Sequence, residues 1–115
     1  MTCVEAVRLP ADALIPDAKI RDYLLVPLPE DDKSGWLAGA GYRREEWKRL
    51  RDDIRSQLLT LPAVPDHTDP HGVRYVARGV LVGPSGLALR ARCVWIRRAE
   101  SGVVSFVTLV PDRKS

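Results

Sequence analysis

Residues 72–111 read GVRYVARGVLVGPSGLALRARCVWIRRAESGVVSFVTLVP. Apolar side chains recur there at every second position, the period of a β-strand rather than a helix. Three strands are predicted, over about 73–82, 87–97 and 103–110. Gly83-Pro84-Ser85-Gly86 separates the first two and Ala99-Glu100-Ser101-Gly102 the last two. Loops this short and rich in turn formers join antiparallel neighbours, since a parallel crossover needs far more chain. On the middle strand Leu87, Leu89, Ala91, Cys93 and Trp95 share one face, assigned to the core. Arg90, Arg92, Val94 and Ile96 point the other way. On the preceding strand Arg74, Val76, Arg78 and Val80 likewise share a face. Where those two faces coincide, four guanidinium groups line the helix-free side of the sheet, an electrostatic seat for a phosphodiester backbone. Arginines snorkelling over a partly covered sheet are the competing explanation.

Upstream the period changes to that of a helix. Trp47, Leu50, Ile54 and Leu58 form one apolar stripe, which predicts a helix from about Arg43 to Leu59. Glu45 and Glu46 lie in its first turn, and Arg49 and Asp53 are spaced to pair on its wet side. Pro62 and Pro65 end it, and Ala63 with Val64 is a candidate short edge strand. A shorter helix is predicted from Lys33 or Ser34 to about Ala40, burying Trp36 and Leu37. Another starts at Pro16, with Ile20, Tyr23 and Leu24 inward, and stops at Pro27 and Pro29 before the polar turn Glu30-Asp31-Asp32. Leu9-Pro10 to Ile15-Pro16 is an extended lead-in, because each proline pushes its predecessor out of helical space. Helices first and strands after specify an α+β fold. Two or three N-terminal helices are expected to pack on one face of a three- to four-stranded antiparallel sheet. The expected layout is an N-terminal extension over 1–8, one domain over 9–111 and a tail over 112–115.

Composition agrees with one modest core: 115 residues, 45% apolar and 29% charged. The longest apolar runs fall far short of the roughly 18 residues a membrane span needs. Glu5 and Arg8 break any signal-like stretch after Met1. Cys3 and Cys93 make neither a disulfide framework nor a four-ligand metal site, so the expected compartment is the cytoplasm. Charge is uneven. Residues 1–71 carry a balance of −3 and residues 72–115 a balance of +6. Seven of the eight basic residues in the second part are arginine, whose planar fork suits bidentate contact with phosphate.

Leu9-Pro10 through Ile15-Pro16, Lys19-Ile20, Asp22-Tyr23-Leu24-Leu25, Lys33, Leu37, Gly41-Tyr42, Trp47, Leu50, Gly72, Tyr75, Gly79, Gly83, Gly86, Trp95-Ile96 and Thr108 with Pro111 together resemble an uncharacterised bacterial domain-of-unknown-function family. Its members occur as small stand-alone proteins and at the C-terminal ends of polymorphic toxins. That family is in turn distantly similar to the barnase, EndoU, colicin and RelE group of ribonucleases, in which helices precede an antiparallel sheet whose concave face cleaves RNA. The resemblance implies RNA as substrate and a small antitoxin or immunity protein as partner, with no cofactor and no membrane. It also marks Lys33 and Thr108 as site residues. Two departures stand out: Asp31 and Asp32 replace the usual Gly and Ser before the lysine, and Thr108-Leu109-Val110-Pro111 lacks the usual tyrosine.

A metal-independent ribonuclease needs a base for the ribose 2′-hydroxyl, an acid for the leaving oxygen and cations for the charge building on phosphorus. His71 is the candidate proton shuttle, with His67 as second choice, in the stretch Asp66-His67-Thr68-Asp69-Pro70-His71 expected to form a loop. Lys33 and Thr108 complete the catalytic candidates, and Thr108 could donate to a phosphate oxygen. Arg74, Arg78, Arg90 and Arg92 are the candidate phosphate binders, and Tyr75 could stack a base. Asp66, His67, Asp69 and His71 could also hold a metal, though no second ligand group accompanies them, and a metal-free site is expected. The expected function is a toxin-like metal-independent ribonuclease or RNA-binding domain. The alternatives are a non-catalytic module of a toxin–antitoxin or immunity-type pair, and a structural domain whose arginines pair with its own acids.

Overall fold

Pro16, with φ of −60°, leads directly into α1 (Asp17–Lys19), which runs on as a π-helical turn over Ile20–Leu24. The wider turn is closed by the Leu25 N–H donating to the Ile20 carbonyl at 3.2 Å, five residues back. Residues 6–26 and 33–112 are described by the computed structural model. Cys3, Pro27, Pro29, the Glu30-Asp31-Asp32 turn and the basic tail residues Arg113 and Lys114 lie outside the described residues.

After α2 (Ser34–Gly39), a 3-10 turn over Arg44–Glu46 opens the long helix α3 (Trp47–Asp53). That helix also ends in a π turn, Ile54–Leu58, closed by the Leu59 N–H on the Ile54 carbonyl at 2.9 Å. The stripe behaves as its spacing predicts: Leu50, Ile54 and Leu58 are fully buried and Trp47 half-buried. Asp53 does not. It turns inward, where the Tyr42 hydroxyl donates to its Oδ2 at 2.7 Å and Arg49 Nε does so at 3.0 Å. Burial first, and then the Asp53 carboxylate, push the Tyr42 hydroxyl well above its ordinary range.

The sheet has four antiparallel strands in chain order: β1 (Val64–Asp69), β2 (Gly72–Val82), β3 (Ala88–Arg98) and β4 (Val104–Pro111). The stretch expected to be a loop is therefore largely strand. Residues 66–69 continue β1, because an edge strand needs only backbone pairing to β2 and no apolar alternation, and Pro65 is tolerated there. Its register shifts between Pro65 and His67, so Asp66 is the extra residue of a β-bulge. The lead-in closes two flanks. Val7 and Ala63 exchange backbone bonds at 2.8 Å, and Leu14 runs parallel beside Ser105 of β4.

Ala77 and Leu81 of β2, Leu89, Ala91, Cys93 and Trp95 of β3, and Phe106 and Leu109 of β4 are buried together with the helix residues Ile20, Leu24 and Leu37 and the long-helix stripe. Trp95 and Phe106 sit opposite one another and meet edge to face at 5.5 Å between ring centres. At the β2–β3 turn Gly83 packs so closely on α2 that a Cβ there would lie 2.2 Å from the Ala40 carbonyl oxygen. Among the described residues every helix contributes to this one core, and no helix lies on the opposite face of the sheet.

Candidate functional site

Register decides which arginines meet. In the β2–β3 pairing Arg74 is opposite Ile96, Val76 opposite Val94, Arg78 opposite Arg92 and Val80 opposite Arg90. Directly paired residues share a face, and the alternate positions Ala77, Cys93 and Trp95 belong to the core. All four guanidinium groups therefore lie on the helix-free face.

They are not equivalent. Arg74 is clamped: its Nη1 donates to Asp69 Oδ2 at 2.6 Å, while Asp69 Oδ1 accepts from the His71 and Gly72 backbone N–H groups. Arg74 foremost, and then those N–H groups, hold the Asp69 carboxyl below its usual range. Arg78 reaches Asp112 only at 3.8 Å. Arg90 and Arg92 make no ion pair among the described residues. Two like charges set directly across a strand pair repel. Arg78 and Arg92 do face each other in this way, with one distant carboxylate on Arg78, a disposition that an added anion would relieve.

Thr108 stands opposite Val94, in the same row of the sheet as Val76. Lys33, at the entrance to α2, extends to this edge: its Nζ donates to the Tyr23 hydroxyl at 2.9 Å and lies 3.4 Å from Thr108 Oγ1. The ammonium also sits 4.9 Å from the Tyr23 ring centre, and Lys19 Nζ lies 5.9 Å from the same ring. Two of the three catalytic candidates thus come together, joined by a tyrosine that the sequence had placed only in a helix core. Its one signal was its position in the quoted Asp22-Tyr23 motif. The result is a cation and two hydroxyls at the edge of the arginine face.

His71 is elsewhere. It occupies the β1–β2 turn just before Gly72, five residues from Val76, and two strand spacings separate β2 from β4. That places it on the order of 15–20 Å from Thr108. His67 is opposite Arg74, with Nε2 3.5 Å from Asp69 Oδ2. Tyr75 is opposite Trp95, on the helix side, half-buried against the core and away from the arginines. Among the described residues no group of three or more His, Cys, Asp or Glu side chains gathers as a metal site. Burial drives the Cys93 thiol far above its ordinary range, which leaves it protonated and inert. No helix among the described residues is long and apolar enough to cross a membrane.

One hollow lies on the helix-free face, a cavity of about 300 Å³ lined by Pro62, Val64, Pro65, Asp66, Val76, Arg78 and Arg92. Nothing in the sequence marked Asp66 for it, because a bulge in a polar strand leaves no periodic trace.

The family described as Domain of unknown function (DUF6883) matches residues 8–113. A chain of the contact-dependent growth inhibition toxin–immunity protein complex from Klebsiella pneumoniae 342 aligns over 87% of this chain and 100% of that one, with a TM-score of 0.58 and 16% identity. At that identity the likeness is one of fold. No curated protein matches.

Proposed function

We propose, from the premise that this chain belongs to the DUF6883 family, that it is a toxin-like domain that binds RNA on the arginine face and cleaves it without a metal at the β4 edge. The observation that carries this reading is the Arg78–Arg92 confrontation, joined by Arg90, on a sheet face with no helix over it among the described residues. Such an array is costly without a polyanion and favourable with one. Thr108 lies two residue pairs from Arg92 along β3, the next position on that face, so a strand seated on the arginines can carry a phosphate to Lys33.

In the proposed reaction the ribose 2′-hydroxyl gives its proton to solvent water as its oxygen attacks the adjacent phosphorus; the 5′-oxygen leaves and takes a proton from water, giving a 2′,3′-cyclic phosphate. Charge builds on the non-bridging oxygens. Lys33, held by Tyr23 and Thr108, is set to offset it. His71 is too distant to serve the same phosphate, and Tyr75 faces the core, so neither enters the proposal. The fold shared with a chain from a toxin–immunity complex supports a toxin-type setting, and a small acidic protein covering the arginines is the partner this reading implies.

The test is incubation of the full chain with total RNA in excess chelator across pH 5 to 9. RNA should be degraded, and Lys33→Ala should slow degradation about 10²–10³-fold, the usual cost of removing one group that stabilises charge in the transition state. RNA left intact throughout overturns the cleavage. Salt-dependent binding without products would identify a non-catalytic interaction module instead.

A further inference from the structure

We infer that the Asp66 bulge, together with Arg78 and Arg92, forms a subsite that selects a guanine base from the bound RNA; this rests on the RNA reading above. Asp66 is the unpaired extra residue of β1, and such residues are re-aimed out of the strand's alternation. Asp66 lines the same cavity as Arg78 and Arg92, and among the described residues it makes no ion pair with either. That contrasts with Asp69, which closes directly on Arg74 at 2.6 Å. Opposite charges facing one cavity without neutralising each other fit a ligand with donors at one edge and acceptors at the other.

Guanine has that pattern. Its N1–H and N2–H donors are adjacent and match the two oxygens of a carboxylate, while O6 and N7 accept from an arginine fork. Adenine and cytosine offer a single amino group, and uracil flanks its one N–H with carbonyls that a carboxylate repels. Val64 and Val76, paired on the same face of the sheet, line the cavity and can floor one face of the ring, since single-stranded RNA is read by splaying bases into such sites. At about 300 Å³ the cavity is at the small end for ligand sites, the size of one nucleotide unit rather than a longer segment.

The experiment measures binding of the full chain to fluorescent 2′-O-methyl pentamers, which cannot be cleaved, bearing G, inosine, A or U at the centre of a uridine strand. The G pentamer should bind roughly tenfold more tightly than the others, and inosine, lacking the N2 amino group, should lose most of that gain. Asp66→Asn, verified as folded by circular dichroism, should abolish the G preference while binding the all-uridine pentamer at least as well. Equal binding of all four pentamers with marked salt dependence overturns the subsite and leaves RNA binding standing. A GMP titration by amide shifts separates the remaining cases. GMP bound near Asp66 with no pentamer bound keeps the guanine site and overturns RNA binding; neither bound overturns both.

Discussion

The unequal pairing of the arginines sets a quantitative expectation for salt dependence. For single-stranded nucleic acid each neutralised phosphate adds about 0.7 to the slope of log K against log salt. Arg90 and Arg92 have no carboxylate partner among the described residues, so each should contribute its full share. Replacing both by alanine should therefore reduce the slope by about 1.4. A fourfold rise in salt would then weaken the wild-type chain about sevenfold more than the double variant. Arg74 is committed to Asp69 and should contribute little, so Arg74→Ala should leave the slope nearly unchanged. Fluorescence anisotropy of a cleavage-resistant all-uridine oligonucleotide, which leaves the guanine subsite empty, reads all three slopes from 50 to 400 mM salt, with thermal melts verifying the fold. A double variant with the wild-type slope would refute the reasoning, as would an Arg74 variant whose slope falls as far as the double variant's.

Gly83→Ala places a Cβ against the Ala40 carbonyl with no flexible side chain to yield, and chemical denaturation should show a loss of about 1–3 kcal/mol. Tyr42→Phe removes a 2.7 Å bond to a buried carboxylate and should cost about 1.5–3 kcal/mol, most of it absent in an Asp53→Ala background by a double-mutant cycle. The Asp22 carboxyl, held to about 2 by Arg21 and Arg44, should show an acid midpoint near that value in carbon-detected NMR. Because its folded value is depressed, the stabilisation is present above the unfolded carboxyl value and disappears as pH falls through the folded one. Asp22 titrating at an ordinary carboxyl value would show that the pairs with Arg21 and Arg44 do not persist in solution.

The architecture and the arginine face were legible because both depend on local period. Alternation on β2 and β3 assigns every side chain to a face, and the short turns fix the pairing direction. What escaped depends on partners distant in the chain. Asp53 looked like the wet half of an i,i+4 pair with Arg49, and only Tyr42, eleven residues earlier, makes its inward position favourable. Residues 66–69 have no apolar alternation, and their strand conformation comes from the β2 backbone. Lys33, Tyr23 and Thr108 were separate pieces of a family resemblance, and a separation of 75 positions along the chain hid the proximity of Lys33 to Thr108.

The central claim is that RNA sits on the helix-free face, and amide shift mapping with a cleavage-resistant oligonucleotide tests it most directly. The account predicts shifts over Val76 to Val80, Arg90 to Val94 and Thr108. Shifts confined to the three helices, with those strand positions unmoved, would contradict it.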